Sequence, residues 1–167
     1  MIQYQAMTEI YIIAHNIRST HNIGSIFRTC EGFGVKKIIL SGYSPYPKLT
    51  DDTRLPHISD KLTQQIHKTA LGAETMVPFE YQEVPDIDNL RNKGFTIVGL
   101  EQNSKSIPIS KYKLPEKVAL FIGEEVNGIN KELLIQCDDI IEIPMVGKKE
   151  SFNVSVATGI ALYALTI

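Results

Sequence analysis

The chain has 167 residues, 43% hydrophobic and 22% charged, which suits one α/β domain with a proper core and is ordinary for a soluble globular protein. A formal net charge of −2 argues against nucleic-acid binding by bulk charge alone, while leaving room for a local basic surface from Arg18, Arg28, Lys36, Lys37, Lys48, Arg54, Lys148 or Lys149. No apolar run reaches the ~18–20 residues of a membrane span, and MIQYQAMTEIYIIAHNIRS lacks the basic start and cleavage site of a signal peptide. The expectation is a cytoplasmic protein with no membrane partner. Cys30 and Cys137 are expected to be free thiols, with Cys30 buried on an apolar helix face.

The first strand is expected at about Ile10 to Ala14. In STHNIGSIFRTCEGFG, residues Ile23, Ile26, Phe27, Cys30 and Phe33 recur at helical spacing, with Asn22 as the expected N-cap and Gly34 as the stop. VKKIILSG reads as a second strand. The proline-marked stretch GYSPYPKLTDDTRLP is too long and polar for a simple turn, and long loops of this kind are often functional. A helix is expected from Asp60 to Leu71, with Leu62, Ile66 and Ala70 inward. FEYQEV suggests a short strand and Ile87 to Lys93 a short helix. FTIVGLE and KVALFIG are near-continuous apolar runs, as in strands covered on both faces of a parallel sheet. A short helix near Asn130 to Gln136, a strand DIIEI and a last helix from Val154 to Leu165 complete the chain.

This alternation predicts an α/β fold with a mainly parallel sheet. Ligands in such sheets bind outside the carboxyl ends of strands. That rule points to three loops: His15–Asn22, Gly123–Asn130 and Pro144–Asn153. The first holds only Gly24, so a dinucleotide fingerprint is absent, and GxxxxGK[ST] and GxSxG are absent as well. The histidines His15, His21, His57 and His67 show no metal-ligand spacing with the cysteines, so no metal is expected. What remains are loops rich in Asn, Arg, Glu, Ser and Gly. Arg28 suits phosphate binding or a surface ion pair with Glu31. Glu124 and Glu125 suit acceptors or a solvated acidic pair. Ser151 or Asn153 suits a helix cap.

Three stretches, in order and spacing, resemble one family: NIGSIFRTCEGFGVKKIILSGYSP (22–45), VALFIGEEVNGINKELL (118–134) and IIEIPMVGKKESFNVSVATGIALY (140–163). They are similar to the SpoU/TrmH-type RNA 2′-O-ribose methyltransferases of the SPOUT superfamily. The resemblance covers nearly the whole chain. It implies a single domain over 1–167 without a separate RNA-binding domain, helices on both faces of the sheet, and a C-terminal deep trefoil knot. It implies S-adenosylmethionine as methyl donor, held by Leu100, Gly123, Ile143, Ser151 and Phe152. It assigns catalysis to Asn22, Arg28, Glu125, Ser151 and Asn153. It implies an RNA substrate, tRNA favoured over rRNA, and a homodimer with an active site shared between chains. Phe152 stands where Leu or Met is commoner, and Glu124 where Asn, Ser or Ala is common; both bear on pocket shape and local charge. Two other readings fit the same fold: a non-catalytic RNA-binding module, and a methyltransferase acting on a small molecule.

Overall fold

The computed structural model describes residues 8–167, so the signal-peptide reading of residues 1–7 lies outside them. Among these residues the strands are β1 (Glu9–His15), β2 (Lys37–Ser41), β3 (Phe79–Gln82), β4 (Thr96–Leu100), β5 (Ile107–Pro108), β6 (Lys117–Ile122) and β7 (Asp139–Glu142). They form one sheet in the order β3-β2-β1-β6-β4-β7-β5, and every pairing between them is parallel. The α-helices are α1 (Thr20–Gly32), α2 (Pro56–Ala70), α3 (Ile87–Asn92), α4 (Lys131–Leu134) and α5 (Val154–Thr166).

The two-residue period of a strand divides the apolar runs between two cores. On one face Ile10, Ile12 and Ala14 of β1 join Val118, Leu120 and Ile122 of β6 under α1, α2 and α5. On the other, Ile13 of β1 and Ala119 and Phe121 of β6 pack with Ile87 and Leu90 of α3 and Leu133 of α4. The expected fold class, a parallel sheet with helices on both faces, is therefore what the chain adopts. Cys30 is a buried free thiol in the first core, and desolvation pushes its pKa far up. Cys137 is half-buried and free, with its pKa raised to about 11 chiefly by burial.

Three expectations need correction. The N-cap of α1 is Ser19, whose Oγ accepts from the Asn22 amide at 3.2 Å; Asn22 itself lies in the first turn. Helix α2 begins at Pro56, four residues earlier than the apolar pattern suggests. A proline suits the first helical turn because its missing N–H has no intrahelical acceptor there. Strand β5 was not expected at all, being two residues at the sheet edge. Among the described residues no helix is long and apolar enough to cross a membrane.

Candidate active site

Adjacent strands β1 and β6 deliver their following loops to the same end of the sheet. The carboxylate of Glu125, from the loop after β6, reaches the start of α1. Its Oε2 accepts from the Arg18 backbone N–H at 3.1 Å. Its Oε1 accepts from the Ser19 N–H at 3.1 Å and from Asn22 Nδ2 at 3.0 Å. Burial works to raise the Glu125 pKa, but hydrogen bonds from the Arg18 amide, the Asn22 side chain, its own amide and the Ser19 amide outweigh it and hold the carboxyl below its usual range. Glu125 is thus an ionised acceptor at neutral pH, and a poor match for a general base working near neutrality.

The loop after β7 joins this cluster through Asn153. Its Oδ1 caps α5, accepting from the Ser155 N–H at 2.9 Å and the Ser155 hydroxyl at 2.7 Å. Its Nδ2 donates to Asn22 Oδ1 at 3.2 Å. Asn153, Asn22 and Glu125 therefore form one hydrogen-bonded chain in which Asn22 lies more than a hundred residues from either partner in sequence. The cap explanation for Asn153 and a role in a polar cluster are both correct, because the two ends of one amide serve different partners.

Beside this chain lies a cavity of about 310 Å³ between the ends of β4, β6 and β7 and the start of α5. Leu100, Gly123, Ile143, Ser151 and Phe152 all line it, together with Glu125. Ile122, Val154 and Ala157 add apolar wall. Backbone closes one side: Glu124 and Gly128 exchange N–H···O bonds at 3.0 and 2.9 Å, and this turn packs directly on Gly123. A Cβ on Gly123 would strike the Gly128 and Ile129 backbone, so only glycine fits. Carboxylates of Glu101, Glu124, Glu125, Glu142 and Glu150 surround the cavity, giving it an acidic character that suits a cationic ligand.

Arg28 is not brought to the cluster. It is exposed on α1, six residues beyond Asn22, and it has no hydrogen bond to Asn22, Glu125 or Asn153 among the described residues. The possible Glu31 ion pair does not form either. Two contributors escaped the sequence reading: the backbone amides of Arg18 and Ser19. The cue was present in STHN, where Ser19 stands three residues before Asn22 as an N-cap should. Among the described residues no three His, Cys, Asp or Glu side chains are gathered as a metal site.

A family model described as the SpoU rRNA Methylase family matches residues 9–163. The chain belongs to that family. It is 31% identical over 155 residues to a tRNA (guanosine(18)-2′-O)-methyltransferase of Aquifex aeolicus, covering 93% of this chain and 67% of that protein. It is 26% identical over 162 residues to a mouse enzyme with the same description, covering 97% of this chain and 10% of that protein. Its fold superposes with a TM-score of 0.77 on an AdoMet-bound rRNA methyltransferase from Sinorhizobium meliloti, at 23% identity over 95% of this chain and 56% of that one. This SpoU-family chain thus spans from a tenth to two-thirds of the length of these relatives.

Proposed function

We propose that this SpoU-family chain transfers a methyl group from S-adenosylmethionine to a ribose 2′-hydroxyl of RNA, with tRNA favoured over rRNA. The observation that carries the reading is the contact between two features: the acidic, partly apolar cavity and the Glu125–Asn22–Asn153 chain at its edge. The tRNA preference rests on the Aquifex relative. The whole span 1–167 acts as one methyltransferase domain.

The cavity fits the donor by volume and chemistry. At about 310 Å³ it matches the lower range of small-molecule pockets. Leu100, Ile143 and Phe152 would cover its flat apolar part, while the glycine-backed wall at Gly123 allows close approach to backbone groups. The donor supplies an electrophilic methyl on a cationic sulfur, so no metal enters the reaction. The acidic residues around the cavity favour that positive charge. Asn22, Ser151 and Asn153 orient the ribose, and Glu125 holds Asn22 in place. The 2′-oxygen bonds the methyl carbon as the methyl–sulfur bond breaks, S-adenosylhomocysteine leaves and the hydroxyl proton passes to water. Arg28 binds the phosphate beside the ribose and stabilises the charge developing on the oxygen, since a guanidinium stays protonated in proteins. Alignment of the hydroxyl with the methyl supplies much of the acceleration.

The strand order supports a C-terminal trefoil knot. From β4 the chain passes β7's position to reach β5 at the edge, returns to β6 inside β4, and then inserts β7 between β4 and β5. A homodimer is supported by α5, which leaves Val156, Tyr163 and Ile167 at 50%, 59% and 85% exposure. In such a dimer Arg28 of one protomer serves the cluster of its partner.

The deciding experiment incubates the protein with tritiated S-adenosylmethionine and undermethylated tRNA or rRNA, then maps ribose methylation. Label in a ribose 2′-O position supports the reading; label that appears without RNA, or donor that never binds, overturns it. Gly123→Ala is expected to weaken donor binding in calorimetry by about tenfold or more, as overpacking against fixed backbone does. Donor affinity equal to the parent chain's would remove the cavity from the reading.

A further inference from the structure

A second groove of about 640 Å³ is lined in part by Arg18 and Ser19, the residues whose amides Glu125 holds. The proline-marked loop after β2, whose length and polarity mark it as functional in the sequence, forms much of it. The loop is rigidly built. Arg54 is held by Asp52 through Nε at 2.9 Å, and it donates from Nη1 to the Tyr46 carbonyl at 3.0 Å. Its guanidinium lies 3.6 Å from the centre of the Tyr46 ring, and Tyr46 stacks on Tyr81 at 4.2 Å. Tyr81 in turn donates its hydroxyl to the Gly42 carbonyl at 2.8 Å. These rings and this cation are already occupied by one another.

Tyr43 and Arg18 touch each other more loosely and stay exposed. Tyr43 is 50% exposed, and its backbone N–H is fixed by Asn16 Oδ1 at 3.1 Å. Asn16 and Gly42 hold this turn at φ of 58° and 62°, and a Cβ on Gly42 would strike the Asn16 side chain. The Arg18 side chain is 71% exposed, and its guanidinium carbon sits 5.9 Å from the Tyr43 ring centre. Its one acidic partner is Glu124, at 3.6 Å. An exposed ring on a fixed turn beside an exposed guanidinium is the pairing that single-stranded nucleic acid uses, base on ring and phosphate on cation. The acidic cavity repels phosphate, so the strand leaves the ribose site toward Arg18.

We infer that this groove is a subsite for the RNA nucleotide adjacent to the methylated ribose, its base stacked on Tyr43 and its phosphate on Arg18. The inference rests on the proposed RNA methyl transfer for the position of the neighbouring ribose. It adds Tyr43 on the loop at 42–55, outside the three loops of the reaction site, to Arg18, which lies in the first of them.

The test uses fluorescein-labelled decauridylate in anisotropy titrations, alongside kinetics on tRNA. Tyr43→Ala is expected to weaken decauridylate binding about tenfold, with Tyr43→Phe close to the parent chain, because stacking needs the ring and not the hydroxyl. Arg18→Gln keeps the backbone amide that Glu125 holds, and is expected to lower the salt slope of binding by about 0.7, one single-strand phosphate contact. In kinetics Tyr43→Ala raises KM for RNA and leaves donor affinity unchanged. Parent-like decauridylate binding by Tyr43→Ala, or no binding by the parent chain, overturns the subsite. A parent chain that binds decauridylate through Tyr43 but methylates no RNA overturns the proposed reaction and leaves the subsite standing.

Discussion

Glu125→Ala is expected to reduce methyl transfer to RNA by about a hundredfold or more, a loss typical of removing a group that fixes reacting partners. Three donors lose their acceptor together: the Arg18 and Ser19 amides and Asn22 Nδ2. The two amides belong to the start of α1, where backbone N–H groups have no intrahelical partner. Asn22 then loses its orientation, and with it the acceptor that Asn153 uses. Glu125→Gln fares little better, because its NH₂ group meets donors. Donor affinity should change only a few-fold, since the glycine-backed wall of the cavity stays in place. The folded state should lose about 1–3 kcal/mol for the unsatisfied donors, a fall of several degrees in Tm for a chain this size. The pH dependence has a definite sign. The native carboxyl is held below its usual value, so its contribution is complete above the unfolded pKa of about 4.3 and is lost as pH falls through the native value. Urea unfolding of the parent and Glu125→Gln should therefore differ by a constant amount from pH 5 to 8, and converge in stronger acid. Equal Tm and equal activity in the two chains would remove Glu125 from the site.

Why was so much of this arrangement readable in the sequence? The central strands β1, β4 and β6 are covered on both faces, so burial forces apolar residues at successive positions, and such runs stand out. The cavity was legible only through the family resemblance, which implied Leu100, Gly123, Ile143, Ser151 and Phe152, and one cavity gathers all five. The errors have local causes. STHN offers several capping side chains, and one-dimensional reading cannot know that the Asn22 side chain is already bonded to Glu125 and Asn153. The first turn of α2 exposes Pro56, His57 and Ile58 and buries only the polar Ser59, so it carries no apolar periodicity. Strand β5 is short and ends in proline at the sheet edge, where little burial shapes its sequence. The packing of Arg54, Tyr46 and Tyr81 is a tertiary arrangement of residues up to 35 positions apart, and no periodicity encodes it.

Arg28→Ala is expected to abolish methyl transfer while leaving the fold and donor binding intact. The side chain is exposed and has no ion pair among the described residues, so its removal should change stability by about 0.5 kcal/mol or less. Its expected effect on activity is large because a protonated guanidinium stabilises the charge developing on the 2′-oxygen, so its loss lowers kcat, while loss of its phosphate contact raises KM for RNA. The geometry within one chain poses a problem: six residues of helix turn Arg28 well away from the direction of Asn22, and the cluster at Asn22, Glu125 and Asn153 is bonded without it. The proposed partner protomer would resolve this, and mixing tests it. Arg28→Ala retains an intact cavity, while Gly123→Ala retains an intact Arg28 but a damaged cavity. At donor concentrations well below the raised Kd of Gly123→Ala, each alone should have little activity. Unfolding and refolding an equal mixture gives about half heterodimers, each with one site that combines a good cavity with the other chain's Arg28, so about a quarter of parental activity should return. If Arg28 served its own chain, both sites of every heterodimer would stay damaged and mixing would restore nothing. Recovery near a quarter therefore supports a site shared between protomers, and no recovery, with dimers verified by light scattering, places Arg28 in its own chain's reaction or outside it.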